Sequence, residues 1–159
     1  MAHKNLSDLK TKNRDFNNVL DSMHNTANAQ RITSTGAFTI EDGTTMVSLA
    51  LDGAMTTTMP AAKVGRNIRV IWEVEQATDD RVFTCAGTDT FAGNLNCFVE
   101  ASGDSTADTI PIANTIVAIT FVDDVNIGSY VDFQCVSDGL WLTTAHLVID
   151  AIGKVPTLA

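Results

Sequence analysis

The stretch Asn67-Ile68-Arg69-Val70-Ile71-Trp72-Glu73-Val74-Glu75 decides the fold class. Ile68, Val70, Trp72 and Val74 share one face, while Asn67, Arg69, Ile71, Glu73 and Glu75 share the other. Alternation with a period of two marks a half-buried β-strand, because successive side chains of an extended chain point to opposite faces. Upstream, Met46, Ser48 and Ala50 oppose Val47, Leu49 and Leu51, and Ala54 to Met59 follows until Pro60 stops it. Ala37 to Ile40 is a shorter candidate, closed by Glu41-Asp42-Gly43. Downstream, Arg81 to Ala86, Leu95 to Ala101, Thr115 to Val122, Ser129 to Val136 and Leu140 to Ile149 read the same way. Residues 106–114, around Pro111, read as irregular.

Turn residues punctuate these runs. Asp52-Gly53 and Asp138-Gly139 are both hairpin signals, since Gly accepts the positive φ of a tight turn. About nine short strands at this spacing predict a mainly β fold, an antiparallel β-sandwich, jelly roll or small barrel. A doubly wound α/β fold would need helices between the strands, and the pattern after residue 31 offers none. The spacing has no fixed period, which argues against a solenoid.

The first 31 residues differ from the rest. They hold no Gly or Pro, and Leu6, Leu9, Phe16, Val19, Leu20 and Met23 form an apolar stripe at helical spacing. Asn5 or Ser7 caps the start, and Asn25 to Gln30 reads as the exit. The division expected is therefore an N-terminal helical arm over 1–31 and a β-rich body over 32–159. An isolated helix of this length is marginal in water, so the stripe must pack on something. Lys4, Lys10, Lys12, Arg14 and Arg31 are half of the chain's ten basic residues. The arm is read as the docking element, with Leu6, Leu9, Lys10, Lys12, Arg14, Phe16, Leu20 and Met23 as its contact residues. An ordinary solvated helix is the competing reading of the charges.

The net charge of −9 argues against nucleic acid, which would need a basic face, and against anionic membranes. No apolar run approaches the ~20 residues of a membrane-spanning helix, and no secretory h-region follows the start. Cys85, Cys97 and Cys135 are odd in number and lack metal spacing, so they are expected to be reduced core residues.

Catalytic chemistry is hard to place. His3, His24 and His146 do not cluster at ligand spacing. The acidic pairs Glu41-Asp42, Asp79-Asp80 and Asp123-Asp124 sit in predicted turns, where Asp bonds to nearby backbone N–H groups. A weak Ca²⁺ site in one such turn stays open as an alternative. There is no nucleophile elbow and no phosphate loop. A Cys–His146 nucleophilic pair would need a coincidence of folding. Trp72 and Trp141 suit core packing, with a sugar-stacking platform as the alternative. No enzyme activity, cofactor or metal is expected.

One ordered set of pieces carries a resemblance. It begins with Thr56-Thr57-Thr58-Met59-Pro60, then Ala61-Ala62, Gly65 and the strand Ile68 to Val74. The loop Gly87-Thr88-Asp89-Thr90-Phe91-Ala92-Gly93 follows, then Ser129 to Val136, Asp138-Gly139 and Trp141. The order resembles the tailed-phage virion decoration proteins, the capsid cement family, over roughly two thirds of the chain; the family pattern lacks the N-terminal segment. The resemblance implies a structural virion protein, assembled in the host cytoplasm and seated as a homotrimer on the outer surface of the shell. Its partner would be the major capsid protein. The alternative is a tail-fibre-associated module that binds a receptor or glycan.

Overall fold

The computed structural model describes residues 28–101, 104–150 and 154–159. The residues named above for the docking arm, from Leu6 to Met23, lie outside them. Twelve strands are present among the described residues, in two mixed sheets. The fold is mainly β, as the alternation predicts.

The first six strands are β1 (Asn28–Ile32), β2 (Gly36–Thr39), β3 (Thr44–Leu49), β4 (Met55–Thr58), β5 (Asn67–Trp72) and β6 (Arg81–Thr84). They alternate between the sheets: β1, β3 and β5 are neighbours in the larger, β2, β4 and β6 in the smaller. Every pairing among them is parallel. This half is a short flattened coil whose rungs differ in length, so no period shows in the sequence.

The rest is different. β7 (Thr90–Ala101) and β8 (Asp104–Ile116) pair antiparallel, as do β10 (Tyr130–Ser137) and β11 (Leu140–Ile149). β9 (Ala118–Phe121) and β12 (Thr157–Leu158) extend the smaller sheet. The strand order is β1-β3-β5-β10-β11-β7-β8 in the larger sheet and β12-β9-β6-β4-β2 in the smaller.

Four readings change. The sheets are mixed rather than antiparallel, because the coil contributes parallel pairs and β11 also pairs parallel with β7. Residues 28–31, placed in the arm by sequence, are part of β1, so the β body begins at Asn28. Residues 106–114 belong to β8, which is an edge strand; Pro111 is tolerated there because an edge leaves half the backbone groups unpaired. Asp52-Gly53 is not a hairpin but part of the crossover from β3 to β4, which lie in different sheets.

The inner faces share one core. Trp72, Phe83, Phe91, Phe121, Phe133 and Trp141 are all buried. Ring contacts join the layers: Trp72 of the larger sheet meets Phe121 of the smaller edge-on, with centroids 5.2 Å apart. Phe83 of the smaller sheet lies 5.7 Å from Phe121 and 5.8 Å from Phe133. Phe91 continues the chain, 5.5 Å from Phe133. Such pairs add about 0.5–1.5 kcal/mol each beyond the area they bury.

Two polar groups enter this core on different terms. Gln76 is fully paired: its Oε1 accepts from Trp72 Nε1 at 3.0 Å, and its Nε2 donates to Phe121 O at 2.7 Å and Asp79 O at 2.5 Å. Arg81 donates to Leu51 O and lies 6.0 Å from the Trp72 ring, but its Nη1 has no partner. Burial pushes its pKa down to about 10, against the opposing pull of Asp52.

Candidate functional site

With both tryptophans spent on the core, the outer face of the larger sheet is the most organised surface among the described residues. The pleat and the register build it. Asp132 of β10 stands opposite Arg69 of β5 and Thr144 of β11. Two residues along, Tyr130 stands between Ile71 and His146, and His146 faces Asn96 of β7.

Contacts lock this row. Arg69 donates from Nε and Nη2 to the two oxygens of Asp132, each at 2.7 Å. The bidentate bond from Asp132 raises the Arg69 pKa. The same guanidinium sits 4.6 Å from the Tyr130 ring centre, and Tyr130 stacks on His146 at 5.7 Å. Thr109 Oγ1 donates to Asn96 Oδ1 at 3.1 Å. At the coil edge, Arg31 Nε and Ser48 Oγ both donate to Glu73, the first at 2.8 Å; these bonds lower the Glu73 pKa.

Beside the row lies a groove of about 340 Å³, lined by Thr45, Asn67, Arg69, Asp132, Gln134, Leu142 and Thr144, with Ile68 and Phe133 below. It arises where the β3–β5 ladder stops: pairing runs from Met46 with Arg69 to Leu49 with Trp72, leaving Thr45 and Asn67 outside it. A neighbouring hollow of about 260 Å³ shares Thr45, Asn67 and Ile68. Arg66 pairs with Asp42 at 2.9 Å and is itself part of the hollow's wall. Amides, hydroxyls and an ion pair around one leucine can hydrogen-bond a polar ligand.

The residues singled out by sequence separate. His146 is on the outer face, whereas Cys97 and Cys135 are buried on inner faces, so the pleat keeps either thiol from pairing with it. All three thiols are free. Burial pushes Cys85 up to about 12 and Cys97 to about 11, and raises Cys135 as well. Trp72 and Trp141 are both 0 % exposed, which removes them as a sugar platform. Asp123 grips Lys154 Nζ with both oxygens, at 2.6 and 2.7 Å. Among the described residues no group of three or more His, Cys, Asp and Glu side chains could hold a metal ion, and no helix is long and apolar enough to cross a membrane.

Sequence reasoning missed Arg69, Tyr130 and Asp132 as a unit. Alternation placed each on a polar face, but β5 and β10 are far apart in the chain and nothing local announces their pairing.

No protein-family model matches this chain, and no curated protein or solved structure matches it either.

Proposed function

We propose that this chain is a structural virion protein of the capsid-decoration type, a homotrimer bound to the major capsid protein on the outside of a phage head. The ordered pieces from Thr56 to Trp141 carry the reading. The construction of the body is compatible with it: the large aromatic side chains are committed to joining two sheets. In this reading the body is sandwich-like and non-enzymatic, and the N-terminal segment reaches the neighbour through Leu6, Leu9, Lys10, Lys12, Arg14, Phe16, Leu20 and Met23.

The test is gold-labelled antibody against this chain on purified particles from cells that make it. Label over the head is the expected result. Particles that carry none of the chain would remove the virion reading altogether.

One observation favours a second reading, a tail-fibre-associated glycan-binding module. The groove walls of Asn67, Gln134, Thr144 and Asp132 are of the kind that bond sugar hydroxyls. Label confined to the tail, with saccharide binding lost in Gln134→Ala, would move the assignment there.

A further inference from the structure

A third Asp-Gly pair, Asp42-Gly43, stands in the chain beside the two read as hairpin signals. In each pair the glycine nitrogen is next in the chain to a side-chain carboxyl carbon, and glycine has no Cβ to obstruct their approach. The nitrogen can attack that carbon. The N–Cγ bond forms, the C–OH bond breaks, and the amide proton leaves with the hydroxyl as water. The five-membered succinimide then takes up water at either carbonyl. Opening at Cγ restores aspartate. Opening at the backbone carbonyl leaves isoaspartate, with the chain running through the former side chain. Water is the one co-reactant. The dipeptides are identical, so local structure decides which of them reacts.

Asp138-Gly139 is held at both reacting groups. Asp138 Oδ1 accepts from Val64 N at 3.1 Å, and Gly139 N donates to Ala62 O at 3.1 Å. Asp52-Gly53 is held through its carboxylate, whose oxygens accept from Ala77 N at 3.0 Å and Thr78 Oγ1 at 3.3 Å. Gly53 is itself buried, close against the Thr35 methyl. Bringing nitrogen and carboxyl together in either pair would break these bonds or open packed structure.

Asp42-Gly43 lacks such restraint. Thr44 N donates to Glu41 O at 3.2 Å, so residues 41–44 form a β-turn with Asp42 and Gly43 at its centre. Gly43 has φ +88°, the conformation of the third residue of a type II turn. Types I and II differ by a turnover of the central peptide, so the Gly43 nitrogen can swing while the flanking bond holds. Among the described residues nothing accepts from that nitrogen. Both residues are exposed. The Asp42 carboxylate has one partner, Arg66 Nη2 at 2.9 Å, and 73 % of the Asp42 side chain is exposed. Ion pairs this open are weak, because water competes for both groups.

We propose that Asp42-Gly43 is a site of spontaneous modification, where succinimide formation converts aspartate to isoaspartate in the folded protein. Gly43 and Arg66 both line the hollow of about 260 Å³ beside the groove. Isoaspartate adds a methylene to the backbone of the turn and shortens the reach of the carboxylate. Arg66 then loses its partner, and the wall of the hollow changes as the chain ages. The inference goes beyond the proposed function and does not depend on it.

The experiment ages the full-length chain at neutral pH and physiological temperature, with a urea-denatured sample alongside, and locates isoaspartate by peptide fragmentation. In the denatured sample all three pairs should convert. In the folded sample position 42 should convert several-fold faster than position 52 or 138. Arg66→Gln should raise the rate at position 42, since the ion pair holds the carboxylate away from the nitrogen. Conversion at 52 or 138 as fast as at 42 in the folded chain would overturn the inference. So would an unmodified position 42 over a period in which the denatured chain converts. A rate at 42 unaffected by Arg66→Gln would overturn the restraint assigned to the ion pair.

Discussion

The two Asp-Gly pairs look alike in sequence and act in different halves of the molecule. Asp138-Gly139 turns β10 directly into β11, with Gly139 at φ +82°. Asp52-Gly53 lies where the chain leaves one sheet for the other, and a Cβ on Gly53 would come within 2.6 Å of the Thr35 methyl. The first Gly is there for its backbone conformation and the second for close approach of a neighbouring rung. The difference is that between the halves: residues 28–84 coil between sheets with parallel neighbours, and residues 90–149 contain both antiparallel hairpins. A local signal is legible where pairing is local, and misleads where the partner strand is a full rung away.

The largest expected effect tests whether the halves form one unit. Phe83 belongs to the coil yet touches Phe121 and Phe133 of the other half. Phe83→Ala should cost about 3–5 kcal/mol. Urea unfolding should stay a single transition, with hydrogen exchange accelerated in β5 and β10 alike. If only residues 28–84 lose protection, the coil and the hairpins are separate units.

Gly93 makes a corresponding demand on the hairpin half. It pairs with Thr143, and an added Cβ would stand 2.1 Å from the Thr143 carbonyl oxygen. Backbone cannot yield as a side chain can, so Gly93→Ala should lose about 3 kcal/mol, the upper part of the overpacking range. A midpoint in urea unchanged from wild type would show that β7 and β11 are not held so closely.

The Asp-Gly pair can be separated by a smaller effect. Gly139→Ala should cost about 1–2 kcal/mol, the penalty of a left-handed residue with a side chain. No change at Thr35 should relieve it. The cost of Gly53→Ala should be relieved by adding Thr35→Ala, because the clash is with that methyl. Equal behaviour of the two variants toward Thr35→Ala would erase the distinction drawn above.

The thiols give the smallest effect, spread over pH. Cys85 directly follows β6, the last strand of the coil, and Cys97 lies in β7 of the other half, and both hold their protons more tightly when folded. Between the ordinary thiol pKa of 9.0 and the folded values of about 11 and 12, the unfolded chain gives up protons that the folded chain keeps. The stabilisation is therefore complete below pH 9.0 and is lost as pH rises toward those folded values. The urea midpoint should fall from pH 8 to pH 10 (both about one unit from the thiol pKa), less so in Cys85→Ala and Cys97→Ala. Iodoacetamide at pH 8 should label the denatured chain and leave the folded one unmodified. Rapid labelling of either thiol in the folded chain would show that burial does not protect it.

The sequence by itself determined that the described chain is β and which face of most strands is buried. Ile68, Val70 and Trp72 point inward, and β11 runs over Leu140–Ile149 as its alternation requires. It also placed both tryptophans in the core. These are properties of a strand and its own side chains, set by the period-two geometry of an extended backbone. Only the tertiary structure decided which strand pairs with which, in which direction and in which sheet. It brought Arg69 to Asp132 and made β1 from residues read as the end of an arm. It also gave Pro111 an edge to occupy. A backbone N–H donates to any extended partner that presents a carbonyl, so the choice among partners falls to the joint packing of two sheets. No window of sequence contains that information.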